Sequence, residues 1–337
     1  MRYFFFLLIL PACSSPDSRV VLYCAQDREY AETLLGEFTK QSGLRVDAKY
    51  DTESNKSVSL YEEIVRESKR PRCDLYWNNE ILHTIRLSKQ GLLEPYESPS
   101  AADYPEWTKA KDRTWQAFAA RARVLIVNTN LVAANDYPRG IFDLTKPAWK
   151  DRVVMAKPAF GTTATQAVCL FDALGDGPAR KFFLDLRANG LAFVAGNKQV
   201  AQGVANGDFA VGFTDSDDAL IELDAGKPVV LIFPDREGHP DYPRLGTLFI
   251  PNTLAIIKGS ANVAGAKKLI DSLLSAGVEK KLAEGGGRQI PLNPKTQANL
   301  HPALVRPEQV KSMQVDWDRA AERWQEVQTF LRNELPR

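Results

Sequence analysis

Val20-Val21-Leu22-Tyr23-Cys24 is a short continuous apolar run, Tyr30 to Ser42 carries apolar residues at helical spacing up to Gly43, and Leu44-Arg45-Val46-Asp47-Ala48-Lys49-Tyr50 alternates. The run reads as a strand covered on both faces, and the alternating stretch as a second strand with one face less buried. Gly43 falls where a helix C-cap needs the left-handed backbone that glycine adopts without strain. Strand, helix and strand in that order predict α/β folding.

The same grammar continues along the chain. Ser59 to Ser68 reads as a helix, Cys73-Asp74-Leu75-Tyr76-Trp77 as a strand, and Glu80 to Gln90 as a helix closed by Gly91. Ala117 to Val127 is expected to be a strand pair running through Arg121 and Arg123, and a strand follows the loop from Trp149 to Arg152. A second βα series follows: a helix from Thr163, a helix from Gly177 to Asn189, Leu191 to Val194, Gln199 to Asn206, and Phe209 to Phe213. Late in the chain come a strand from Leu248 to Lys258 flanked by Pro251, and a helix from Ala264 to Ala276. Val315, Trp317, Ala320, Trp324, Val327 and Leu331 space out an amphipathic helix whose expected role is packing on the body of the protein. A chain of 337 residues exceeds what one core usually supports, so two lobes are expected.

Lys plus Arg number 43 against 42 for Asp plus Glu, so no net field recruits nucleic acid or another polyanion. Cys24, Cys73 and Cys169 are widely spaced and lack flanking His, which excludes a disulfide framework and a zinc site. Cys24 ends one predicted strand and Cys73 begins another, so parallel strands in register would hold the thiols apart as buried free cysteines. At the N-terminus, Arg2 precedes the apolar run Tyr3 to Leu10, too short to span a membrane. Leu10-Pro11-Ala12-Cys13 resembles a bacterial lipoprotein processing box. The expectation is a signal peptide over residues 1–12, lipidation at Cys13, and a tether over 13–18.

Set in order, Val21-Leu22-Tyr23-Cys24-Ala25-Gln26-Asp27, Cys73-Asp74-Leu75-Tyr76-Trp77-Asn78-Asn79-Glu80 and Leu87-Ser88-Lys89-Gln90 before Gly91-Leu92-Leu93 form a recognisable series. It continues through Pro251-Asn252-Thr253-Leu254-Ala255-Ile256-Ile257-Lys258-Gly259, then Asn262, Ala266-Lys267-Lys268, Ile270-Asp271, Leu273-Leu274-Ser275 and Gln289-Ile290-Pro291. The series resembles the periplasmic solute-binding proteins of ABC importers, in particular the ferric-iron-binding class and its phosphonate- and thiamine-binding relatives. The resemblance implies a two-lobed periplasmic-binding-protein fold of type II, with the ligand cleft between the lobes and hinge closure over the ligand. The first lobe is expected to comprise 19–121 plus 248–296, and the second 122–247 plus 297–337.

In open α/β sheets ligands sit beyond the carboxyl ends of strands, which singles out four groups. Asp27 stands where iron-binding relatives carry His, and equally suits the N-cap of the next helix. Asn79 aligns with a Glu of the relatives and Glu80 lies one place beyond it, where a helix's first turn also favours an acid. Arg121 with Gly161, Thr162 and Thr163 resembles the family's anion-binding positions, with Asn197 joining them. Thr163 and Gln166 also fit a capping box. Asp215, Asp217 and Asp218 follow the strand ending at Phe213, and the last two stand where ferric-binding relatives have paired tyrosines. Carboxylates there, with Asp27 and Glu80, can bind a hard cation through oxygen or hold an ammonium group. Alternatively they simply favour a helix N-terminus.

His83, His239 and His301 lie in unrelated segments, and G-x-S-x-G, H-E-x-x-H, a P-loop and a Gly-rich dinucleotide turn are all absent. That argues against catalysis, and the resemblance implies an extracytoplasmic, non-enzymatic carrier: monomeric, membrane-anchored in the periplasm through its lipid, requiring no cofactor, and working with an ABC permease. Its expected cargo is a metal ion of the iron type with an accompanying anion. The alternative is an aminoalkylphosphonate or similar zwitterion, held by Arg121 and the Thr162-Thr163 helix end at its anionic group and by Asp217 or Asp218 at its amine.

Overall fold

The computed structural model describes residues 19–51 and 57–335. The predicted signal peptide, Cys13 and the tether lie outside the described residues. Strand β1 (Arg19–Cys24), helix α1 (Arg28–Ser42) and strand β2 (Arg45–Tyr50) form the opening unit, with β1 and β2 parallel. Gly43 caps α1 in the left-handed region at φ 73°, and Ala31, Leu34, Leu35 and Phe38 form its buried face. Each of the larger side chains there contributes about 1.5–3 kcal/mol by leaving water.

Helix α2 (Val58–Arg66), strand β3 (Leu75–Asn78), helix α3 (Leu82–Lys89) and strand β4 (Leu93–Glu94) follow. β1 also pairs in parallel with β3, Cys24 opposite Trp77, so Cys73 lies at the other end of the strands. Cys24, Cys73 and Cys169 are buried and in no disulfide.

The predicted strand pair from Ala117 to Val127 is instead one strand, β5 (Gln116–Asn128), buried along its whole length. Its first half pairs antiparallel with β10 (Phe249–Ile257), and its second half with β8 (Val211–Asp215) and β9 (Val229–Ile232). No turn is needed, because the partner changes between Ala122 and Arg123 while β5 runs on. Pro251 lies inside β10, at an irregularity between Pro251 and Asn252, where a residue without an N–H is tolerated. The Val229–Ile232 run was absent from the predicted strands.

The second half contains β6 (Val153–Ala156), α4 (Gly161–Leu174), α5 (Asp176–Ala188), β7 (Ala192–Val194), α6 (Asn197–Asn206) and α7 (Ser216–Asp224). β6 pairs in parallel with β7 and β8, giving one sheet path β2-β1-β3-β10-β5-β8-β6-β7. The single helix expected up to Ala276 is two, α8 (Val263–Leu273) and α9 (Ala276–Glu284), because the Ser275 side chain accepts from Val278 N–H and starts a new helix. Helix α10 (Trp317–Glu334) buries Ala320, Trp324, Val327 and Leu331 as their spacing predicted, and it packs on both α3 and α4.

Candidate functional site

The parallel strands β1, β3, β6, β7 and β8 all deliver their carboxyl ends to one place. There Asp27, Asn79, Gly161, Thr162, Thr163, Asn197, Asp215, Asp217 and Asp218 meet Arg121 around a cavity of about 30 Å³. A water needs roughly 10–15 Å³ of such space, so the cavity suits an ion with a very small companion.

Strand register builds its floor. Arg121 lies opposite Ile250 and Arg123 opposite Asp215, so the two arginines straddle the change of partner and, two residues apart, share a face of β5. Arg123 is 1% exposed, and its Nη1 donates to Asp215 Oδ1 at 2.8 Å, Asn197 Oδ1 at 3.0 Å and Thr162 Oγ1 at 3.3 Å. Its Nε donates to Gln166 Oε1 at 2.9 Å and its Nη2 to Thr163 Oγ1 at 3.4 Å. Asp215 Oδ2 accepts from Thr162 Oγ1 at 2.5 Å and Asn197 Nδ2 at 3.0 Å. Arg123 was missed as a site residue; its place on the same face as Arg121 was the available signal.

The Thr163–Gln166 capping box does not form, because α4 begins at Gly161 and Gln166 is held by Arg123. Phe160 and Gly196 sit at the N-caps of α4 and α6, neither contributing a side-chain cap. First-turn N–H groups have no intrahelical acceptor, and both helix ends border the cavity, so they offer an anion donors and the favourable end of a dipole.

The acidic residues divide by environment. Asp27 occupies the N-cap position of α1 without a side-chain capping bond, and Asp217 and Asp218 lie in the first turn of α7. Carboxylate oxygens of Asp215, Asp217 and Asp218 approach within 4.8 Å of one another. Asp215 is engaged through both oxygens by Arg123, Thr162 and Asn197. Asn79 borders the cavity, its Oδ1 accepting from Ser57 Oγ at 2.6 Å. Glu80 does not line the cavity, contrary to its expected ligand role. Its carboxylate is fully buried and accepts from Leu82 N–H at 2.7 Å, Thr165 Oγ1 at 2.8 Å, Asn78 Nδ2 at 2.9 Å and His83 N–H at 3.0 Å. Burial raises its pKa, and these hydrogen bonds work against that rise.

Burial also works against the Arg121 charge, but Asp217, Asp215, Asp27 and Asp218, in that order, outweigh it and raise its pKa. Among the described residues, Arg121 and Arg123 thus face Asp27, Asp215, Asp217 and Asp218.

A model of the bacterial extracellular solute-binding protein family matches residues 85–323. The major ferric iron-binding protein of Neisseria meningitidis is 26% identical, over 90% of this chain and 90% of its own. Iron-bound HitA from Pseudomonas aeruginosa superposes with a TM-score of 0.81 at 20% identity, covering 94% of this chain and 99% of that one. AfuA from Actinobacillus pleuropneumoniae, solved with fructose-6-phosphate, also gives 0.81, at 21% identity over 94% and 98%. The fold is thus the two-lobed periplasmic-binding-protein fold.

Proposed function

The chain belongs to the bacterial extracellular solute-binding proteins, which are transport carriers and not enzymes, and from that premise we propose that it captures a hard metal cation of the iron type for an ABC importer. The observation that carries this reading is the convergence of Asp215, Asp217 and Asp218, whose carboxylate oxygens lie within 4.8 Å of one another, with Asp27 lining the same cavity. Carboxylate oxygens brought this close repel one another, and a hard cation bound through them relieves that repulsion. Asp217 and Asp218 from one lobe and Asp27 from the other are the proposed ligands, so that binding favours closure. The Neisseria relative, named for ferric iron, supports the cargo class. Carboxylates stand where the tyrosine pair of ferric-binding relatives would fall, which favours a cation-binding chemistry carried by carboxylate rather than phenolate.

A small oxyanion is proposed to complete the cation's shell from the side of Gly161, Thr162, Thr163 and Asn197, with Arg121 at its edge. Anchoring through a lipid on Cys13 is proposed from the processing box alone.

The test is thermal stabilisation of the purified protein by Fe(III), Fe(II), other divalent cations and 2-aminoethylphosphonate, with Asp217→Ala/Asp218→Ala beside the wild type. Cation-dependent stabilisation that vanishes in the double variant is expected. Stabilisation by the phosphonate alone would replace the cation reading, and an unchanged response in the double variant would remove these aspartates from the site.

A further inference from the structure

Which face Arg121 and Arg123 present is set by an extra residue in β5. Ala120 lies opposite Pro251 on β10 and Phe118 opposite Asn252, so Ala119 between them is a β-bulge. It is buried and takes φ 38°, the left-handed region that strains a residue carrying a Cβ. Side chains alternate along a strand, so a one-residue slip moves each of them to the other face. With Gln116 to Phe118 held on β10, closing the bulge would bring Ala120 and Ala122 out of the apolar core to the cleft side and turn both arginines into that core. Side chains meet the backbone groups of Ala119: its N–H donates to Glu279 Oε1 at 2.7 Å, and its C=O accepts from Asn252 Nδ2. Glu279, buried in the first turn of α9, also accepts from Asn293 N–H at 2.9 Å, Leu292 N–H at 3.0 Å and Thr296 Oγ1 at 3.1 Å. Next to the bulge, Ala120 exchanges both backbone hydrogen bonds with Ile290 at 2.7 Å. One carboxylate thus ties the bulge to the chain that returns after α9.

We propose that Glu279 is a positioning residue for the cleft, acting from outside it by holding the Ala119 bulge that aims Arg121 and Arg123. For its affinity test the proposal rests on the cation reading above. A buried N–H has to be paired, and Glu279 satisfies that of Ala119 only while Ala119 stays out of the ladder. Bulges commonly sit beside functional sites, where they re-aim a side chain. A carboxylate suits this post better than an amide, because Ala119, Leu292, Asn293 and Thr296 all donate to it.

The experiment compares wild type, Glu279→Gln and Glu279→Gln/Ala119→Gly by calorimetric titration with Fe(III) delivered from nitrilotriacetate, and by urea unfolding. Glu279→Gln turns an NH₂ towards donors and should weaken cation binding about tenfold, the lower end of the loss expected when a group behind a metal site's contacts is changed. Glycine adopts positive φ without a Cβ penalty, so the double variant should recover affinity to within about threefold of wild type. Its urea midpoint should stay low, because Leu292, Asn293 and Thr296 still face an amide; that split separates aiming from general stability. Unchanged affinity in Glu279→Gln overturns the proposal, and so does an affinity loss that Ala119→Gly leaves in place. Should Glu279→Gln not fold, Glu279→Asp keeps the charge but withdraws it by one methylene, and it must show the same loss and recovery. If the wild type binds no cation, the cation reading fails by itself, and crystal structures of wild type and Glu279→Gln decide the aim. Arginines shifted off the cleft uphold it there, and arginines left in place overturn it.

Discussion

Replacing Arg123 with Met removes the guanidinium around which the second-lobe side of the cleft is built. Methionine fills much of the aliphatic volume, so the loss is chiefly electrostatic. Asp215, 4% exposed, would lose the arginine that donates to it at 2.8 Å. Deleting one member of a buried ion pair costs about 3–5 kcal/mol, because the other charge is stranded. Asp215 keeps Thr162 Oγ1 at 2.5 Å and Asn197 Nδ2 at 3.0 Å, which favours the lower end, about 3 kcal/mol. Urea unfolding followed by tryptophan fluorescence measures the loss as a lower midpoint at constant slope. Adding Asp215→Asn removes the stranded charge and should restore about 1–2 kcal/mol, the non-additivity expected of residues in contact. Cargo affinity should fall as well, since Thr162, Thr163 and Asn197 lose the group that aligns them. A cost under about 1 kcal/mol for Arg123→Met, or strict additivity in the double variant, would refute the claim that this pair organises the cleft.

Glu80→Gln puts an amide NH₂ among groups that now donate to a carboxylate, and should cost about 1–3 kcal/mol of stability in the same unfolding assay. Cargo affinity should stay within about threefold of wild type, under 1 kcal/mol; a much larger loss of affinity with unchanged stability would return Glu80 to the ligand set. His83 is buried between Tyr61 and Trp324, with Arg86 Nη1 3.0 Å from its Nδ1, and burial first, then Arg86, hold its pKa well below 6.5. The unfolded chain therefore takes up this proton before the folded one does. The stability His83 confers is full above about pH 6.5 and falls by up to about 1.4 kcal/mol per pH unit as the pH drops towards the folded value. His83→Phe should flatten unfolding free energy measured between pH 7 and 5, and an undiminished slope would show that other groups carry the acid sensitivity.

Cleft loops could be located from sequence because each follows a run whose apolar continuity marks a strand covered on both faces. Asp27, Asn79, Thr162, Asn197 and Asp217 all reached the cavity by that logic. What local pattern could not supply was register. Arg121 and Arg123 are two residues apart on one strand and alike in chemistry, and only the distant partners Ile250 and Asp215 separate them. Glu80 shows the same limit at the scale of one residue: the turn after β3 sends Asn79 to the cleft and Glu80 back to the start of α3 and to Thr165. The Thr163–Gln166 pattern was a sound local signal overruled by a tertiary one, because Arg123 needed Gln166 as an acceptor. The partner change on β5 therefore does more than join two lobes. It gives two neighbouring arginines different settings: Arg123 donates to five side chains, while Arg121 donates to Gln26 and lies beside Asp217.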